Sequence, residues 1–261
     1  MELRSHVPWA YYKSQNMCLH LRTHGGPGTK YLYYFSDNHT VDHDHKRHVA
    51  QPNGWGNPLR EKFDPKDIPD LKHAHFLPPP YKDFFTRSNL EALPQLQSKP
   101  LIVMNNKYHE EWKEPPVNFF SIPVLRELLD YLTPKYNIVY KRYTNPKFDD
   151  NSQQYELNEK EMIRRDYPEV VLYEDLQSTL GKDVEDQNLL LFGIMAASKH
   201  FLAVQGGTAV VSSYFGGTTT ILCKKNGGYK EGYGFFHRFS GSNVDWVTTD
   251  RAYLKRIKKL L

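Results

Sequence analysis

The densest polar chemistry in the sequence lies in three places. The first is Val204-Gln205-Gly206-Gly207-Thr208-Ala209, directly after the apolar run 201–204. Glycine lets a backbone approach a ligand closely, and the N–H groups that open a helix attract an anion. Thr208 can add a hydroxyl donor. A diphosphate is the natural guest, held by Gln205, Gly206, Gly207 and Thr208. The alternative is a strand-to-helix turn that holds nothing. A second pair, Gly216-Gly217, reads as the end of a short helix over 208–214.

The second place is a set of polar strand ends. Asn105-Asn106-Lys107-Tyr108 closes the apolar run 101–104. Lys107 can meet a phosphate, and Asn106 can hydrogen-bond a sugar or a base. The plainer reading is a solvated loop. Lys141-Arg142 closes the run 137–140 in the same way. Arg142 is a candidate for bidentate phosphate binding, or one half of a surface charge pair. Tyr173-Glu174-Asp175 closes the run 169–173, where an acid can accept hydrogen bonds from a ribose or simply cap a helix.

The third place is Asp37-Asn38-His39-Thr40-Val41-Asp42-His43-Asp44-His45-Lys46-Arg47-His48. Its imidazoles and carboxylates are dense enough for zinc or manganese. Arg47, however, stands where a metallohydrolase pattern has an acid. Asp42-x-Asp44 is similar to the aspartate pair of metal-dependent sugar transferases. The second reading is a general base that takes a proton from an acceptor hydroxyl. Asp37 and His39 follow an expected strand over 31–35 and are better fixed than Asp44 and His48; Asp37 ranks first for that role because aspartate is ionised at neutral pH. Asp42 ranks second and His39 third. The third reading is a polar, histidine-rich loop.

These groups need a scaffold, and the two ends of the chain differ in style. Ten of 12 histidines and 13 of 17 prolines lie at or before position 116, whereas 11 of 16 glycines lie at or after Gly181. An irregular first part, 1–97, and a regular second part, 98–261, follow. In the second part, short apolar runs alternate with helical periods. Strands are expected over 101–104, 137–140, 169–173, 201–204, 219–222 and 244–247. Helices are expected over Ile122–Leu132, 158–165, 187–198, 208–214 and 251–261, the last capped by Asp250. That alternation implies right-handed βαβ units, an open parallel sheet, and a ligand crevice outside the carboxyl ends of the strands. In the first part, strands over 17–21 and 31–35 flank a turn at Gly25-Gly26-Pro27-Gly28, and 89–96 reads as a short helix. The glycine- and aromatic-rich segment 224–241 reads as a lid over the crevice or a packed loop. The terminal helix carries Arg251, Lys255, Arg256, Lys258 and Lys259. Such a helix docks on its own domain with its cations solvated, or meets an acidic lipid surface.

Composition narrows the function. No apolar run approaches the roughly 20 residues of a membrane span. The first residues lack the apolar stretch of a secretory signal, so a cytoplasmic protein is expected. Cys18 and Cys223 make no disulfide framework. A net charge of +4 is too mild to call for nucleic acid.

Asn105-Asn106-Lys107-Tyr108 with Glu111-Trp112, the segment 116–129 and the segment 201–217 resemble the nucleotide-sugar-binding half of GT-B-type glycosyltransferases. Among these, the chain resembles enzymes of large algal viruses that build capsid glycans in the host cytoplasm, a xylosyltransferase included. The resemblance spans residues 98–250. It implies an α/β, GT-B-like fold with the donor in a cleft. It also implies a nucleotide-diphosphate sugar as donor, a UDP-sugar favoured, and a glycan or glycoprotein acceptor. No metal is implied in catalysis, Lys107 or Arg142 neutralising the departing diphosphate instead. The first 97 residues are too few for a full second Rossmann-like half, so the acceptor side is abbreviated. Two other classes compete: a metal-dependent hydrolase or phosphoesterase centred on 39–48, and a non-catalytic nucleotide-sugar-binding protein.

Overall fold

The computed structural model describes residues 7–16, 20–42, 78–85, 93–110, 114–142, 153–180, 183–225 and 242–261. The chain forms two units, one of Met1–Pro79 with Asn145–Ser152, the other of Pro80–Thr144 with Gln153–Leu261. Residues 80–97, placed by the sequence reading before a boundary near 98, therefore lie in the second unit. Aromatic packing explains this. Tyr81 and Phe85 stack on one another and meet Phe192 and Phe215 of that unit.

In the first unit, α1 (Val7–Asn16) precedes two short parallel strands, β1 (Arg22–Gly25) and β2 (Asn38–Val41), with Thr23 opposite His39. The expected strand over 31–35 is instead a 3-10 turn, Lys30–Tyr33. Its aromatic residues favour a strand, but turn hydrogen bonds from Leu32 N to Thr29 O and Ser36 N to Tyr33 O bend the chain. Tyr33 is buried there, stacked on His39 at 5.1 Å. The expected strand over 17–21 lies partly outside the described residues, and His20 and Leu21 are not in a strand.

The second unit is built on six parallel strands: β3 (Leu101–Asn106), β4 (Asn137–Arg142), β5 (Val171–Leu172), β6 (His200–Val204), β7 (Thr218–Leu222) and β8 (Asn243–Val247). Their order across the sheet is β5-β4-β3-β6-β7-β8. The chain thus builds outward from β3 to one edge, returns, and builds outward from β6 to the other. This is the doubly wound α/β arrangement, and its switch point lies between β3 and β6.

Interleaved helices cover both faces. They are α2 (Tyr81–Phe84), α3 (Ile122–Leu132), α4 (Glu159–Asp166), α5 (Tyr173–Leu180), α6 (Val184–Ala197), α7 (Gly207–Ser213) and α8 (Asp250–Leu260). Side chains alternate across a strand. Ile102, Met104, Ile138, Tyr140, Leu202, Val204 and Leu222 accordingly share one core with Leu125, Leu128 and Leu129 of α3 and Tyr253 and Ile257 of α8. The Tyr253 hydroxyl donates to Thr220 O at 3.0 Å, which ties α8 to β7.

Three local expectations change. The strand over 169–173 shortens to two residues, because Tyr173 already begins α5. Thr249, not Asp250, caps α8: its side chain accepts from Ala252 N, while Asp250 pairs with Lys224. Residues 89–92 of the expected short helix lie outside the described residues, and Pro94–Leu96 form a 3-10 turn. Gly216-Gly217 does follow α7. Gly217 has φ +68°, and a Cβ there would collide with the Lys199 carbonyl, so only glycine can carry the chain into β7.

Candidate functional site

The switch point brings the first two chemical groups together. Asn105 of β3 lies in register with Ala203 of β6, so the carboxyl ends of the two strands are neighbours. Lys107 leaves the end of β3, and Gln205-Gly206 leaves the end of β6. The Lys107 Nζ lies 3.8 Å from where a Gly206 Cβ would sit. Gly206 has φ +154° and ψ −176°, a conformation essentially reserved for glycine. A side chain there would be strained and would press towards the ammonium. Gly207 is exposed, Gly206 and Thr208 are half-buried, and α7 starts at Gly207. The first N–H groups of a helix have no partner within it. One ammonium and a glycine turn therefore share one accessible corner.

Other residues named from the sequence have side chains committed elsewhere. The Asn106 amide makes four hydrogen bonds. Its Oδ1 accepts from Lys107 N and Phe120 N, each at 2.9 Å, and its Nδ2 donates to Phe120 O and to the Tyr140 hydroxyl. That uses an asparagine's capacity on the protein and corrects the reading of Asn106 as a sugar or base contact. Its role is to fix the backbone from which Lys107 projects. Gln205 is buried, and its Oε1 accepts from the Cys223 thiol at 3.2 Å. The side chain therefore braces β7, and only its backbone belongs to the turn.

Arg142 is corrected in the same way. It is buried, and its guanidinium donates to Glu159 at 2.8 Å and to both oxygens of Glu156 at 3.0 Å. Two carboxylates already match its charge. Glu159 is fully buried and also accepts from the Tyr140 hydroxyl at 3.2 Å. Burial raises its carboxyl above the usual range, and Arg142 opposes that shift. An unbroken chain of polar contacts thus runs from Glu156 through Arg142, Glu159, Tyr140 and Asn106 to Lys107 N. Its function is positional. Arg142→Leu would leave Glu159 buried without its cation. An unfolding free energy lower by about 3–5 kcal/mol is expected in urea titrations, and a loss under about 1 kcal/mol would show that the pair is not buried together.

The acids after β5 are paired with cations of α4. They open α5, where Glu174 pairs with Lys160 at 2.5 Å and Asp175 with Arg164 at 2.7 Å. Sequence reasoning missed Asn118. Buried in the loop before α3, it accepts from Lys224 N at 2.7 Å and Lys225 N at 3.2 Å, which holds the chain leaving β7. Long-range side-chain-to-backbone bonds of this kind leave no periodic trace. Residues 226–241 of the expected lid lie outside the described residues.

In the first unit the histidine-acid group separates into unequal parts. Residues 43–48 lie outside the described residues. Asp37 does not end a strand; it is an exposed turn residue that precedes β2. Asp42 follows β2, and its carboxylate lies 3.7 Å from His24 Nε2. His39 is the most firmly held. Its Nδ1 lies 2.8 Å from Thr23 Oγ1, and its Nε2 lies 3.0 Å from Thr29 Oγ1. Thr29 spends its own proton on Gly26 O at 2.6 Å. Nε2 must then carry the hydrogen and donate to Thr29, which leaves the Nδ1 lone pair to accept from the Thr23 hydroxyl. Partial burial, helped by His24, lowers the His39 pKa below the ordinary 6.5. His39 is thus a neutral imidazole at pH 7 with its lone pair aimed at a hydroxyl. Among the described residues no three His, Cys, Asp or Glu side chains cluster as metal ligands, and no helix is long and apolar enough to cross a membrane.

No protein-family model matches this chain, and no curated protein matches it. Among solved structures, the chain is similar to the wall teichoic acid polymerase TagF over 72% of its own length and 44% of that chain, with 13% identity and a TM-score of 0.39. A variant of TagF matches over 68% of this chain and 37% of its own, with 14% identity and a TM-score of 0.34. The chain therefore spans less than half the length of that polymerase.

Proposed function

We propose that this protein is a glycosyltransferase that moves a sugar from a nucleoside-diphosphate sugar to a hydroxyl of a glycan. The observation that carries the reading is the Lys107 ammonium beside Gly206 at the switch point of a doubly wound sheet. A diphosphate leaving group gains negative charge as the glycosidic bond breaks. A preorganised cation and backbone N–H groups stabilise that charge where it develops. Gly206 and Gly207 allow the close approach, and Thr208 adds a hydroxyl. Arg142 is held by two glutamates, and the role goes to Lys107, the cation beside the turn.

The attacking hydroxyl needs a proton acceptor, because its own pKa lies far above neutrality. The Thr23–His39 pair of the first unit has the required polarity. Thr23 Oγ1 takes the acceptor's proton and passes its own to His39 Nδ1, while Thr29 holds Nε2–H. In this reading His39 moves ahead of Asp37 and Asp42, because two threonine side chains orient its ring. UDP-xylose and other UDP-sugars are the donors to test first.

The test is transfer or donor hydrolysis by the full chain, with and without excess EDTA. Activity that persists in EDTA is expected, since Lys107 supplies the neutralising charge. Reversible loss on chelation, restored by manganese, would move the leaving-group role to a metal. Saturable donor binding with no transfer to any glycan would favour a binding protein.

A further inference from the structure

Helix α8 carries five cations, Arg251, Lys255, Arg256, Lys258 and Lys259, and one acid, Asp250. Three of the charges near it are spent locally. Arg256 pairs with Asp245 at 3.0 Å, Lys258 with Glu127 at 2.6 Å, and Asp250 with Lys224 at 2.9 Å. Arg251, Lys255 and Lys259 are exposed and have no ion pair among the described residues. They stand at i, i+4 and i+8, one stripe about 12 Å long on a rigid helix. The opposite face, through Tyr253 and Ile257, is buried in the core, so the stripe cannot turn inward.

Apolar and aromatic groups accompany the stripe. Leu254 lies with Arg251, Lys255 and Lys259 in a shallow groove that Glu127 and Lys258 complete. Tyr131 of α3 donates to Lys258 O at 3.2 Å and carries the Lys135 ammonium 3.6 Å above its ring. Unpaired cations suit any polyanion. Half-buried Leu254 and Tyr131 beside them suit the boundary between headgroups and hydrocarbon, where a helix lying flat rests. No exposed ring on α8 offers a platform on which bases could stack, since its only aromatic residue, Tyr253, is buried.

We propose that the exposed face of α8 binds the surface of an anionic lipid bilayer, with Arg251, Lys255 and Lys259 as its contacts to lipid headgroups. The helix lies flat on the surface and does not insert, because its apolar face belongs to the protein core. Each cation near an anionic surface contributes about fivefold in affinity, so removal of all three weakens binding by about 100-fold.

The full chain is sedimented with vesicles of equal phosphatidylglycerol and phosphatidylcholine, and with vesicles of phosphatidylcholine alone. Binding to the anionic vesicles only, with release as salt is raised, is expected. The triple variant Arg251→Gln, Lys255→Gln, Lys259→Gln is expected to bind about 100-fold more weakly with an unchanged melting temperature. Arg256→Gln, which removes a cation already paired, is the control and should change binding far less. The double charge reversal Lys255→Glu, Lys259→Glu gives a second reading should the triple variant fold poorly, and it should abolish binding. Absence of binding to anionic vesicles overturns the proposal, as does a folded variant that binds like the wild type. Tighter binding to polyuridylate than to anionic vesicles at matched charge would reassign the stripe to nucleic acid.

Discussion

Lys107→Ala is expected to lower sugar transfer by about 100- to 1000-fold at saturating donor, the range for removing one preorganised group that stabilises developing charge. The effect should fall mainly on kcat, because the charge on the bridging oxygen grows in the transition state and is smaller in the bound donor. The fold should survive. Lys107 is half-buried and lies beyond the last residue of β3, and the backbone before it is held by Asn106 whatever the side chain. Steady-state kinetics with donor varied separate the two parameters. A loss under tenfold in kcat, with normal folding, would remove Lys107 from the chemistry and leave the glycine turn without its cation.

His39→Ala should cost about 100-fold or more in turnover while donor affinity stays near the wild-type value, since base removal acts on proton transfer. The pH profile gives a second readout. The folded His39 pKa lies below 6.5, so the imidazole is already neutral at pH 7. Rate should stay level above that pKa and fall as pH drops through it. Stability moves in the same direction. A lowered folded pKa means that the unfolded chain binds the proton more readily, so this contribution is full above about pH 6.5 and is lost as pH falls below it. His24, beside the Asp42 carboxylate, opposes protonation of His39. Thr23→Val should reproduce part of the rate loss if the hydroxyl relays the proton. Near wild-type turnover in His39→Ala, with a loss in Asp37→Asn or Asp42→Asn instead, would return the role to an aspartate.

What the sequence discloses follows from how locally each feature is encoded. The parallel sheet is legible because β3, β4 and β6 hold short continuous apolar runs separated by helical periods. Strands buried on both faces require that pattern. The candidate site is legible because its residues are contiguous at strand ends, Gly206-Gly207-Thr208 and Lys107, which the sheet brings together. The role of Arg142 is not legible. The sequence shows a cation after a strand, as it does at Lys107. Only the fold reveals that Glu156 and Glu159, 14 and 17 residues on, neutralise Arg142. Asn106 misleads for the same reason, since its four partners come from three separate segments.

The first unit reads worst. Residues 31–35 are rich in tyrosine and look like a strand, yet tertiary burial of Tyr33 against His39 favours a turn. Asp37 and His39 both follow that stretch, and Asp37 ranks ahead only because a carboxylate is ionised at pH 7. The fold adds that Asp37 is an exposed turn residue, whereas His39 lies inside β2. The hydrogen bonds that orient His39 come from Thr23 and Thr29, and neither threonine carries any signal in the sequence that marks it as a partner.

The central claim is that a diphosphate binds between Lys107 and the turn at Gly206. It is tested most directly by calorimetric titration of the full chain with UDP, GDP, ADP, CDP and dTDP, repeated on Lys107→Ala and on Gly206→Val. Saturable one-site binding of at least one of these nucleotides is predicted. It should be weakened at least about tenfold by Lys107→Ala, a change of about 1.4 kcal/mol, and abolished in folded Gly206→Val. Absence of binding for all five nucleotides, or equal affinity in the wild type and both folded variants, would contradict it.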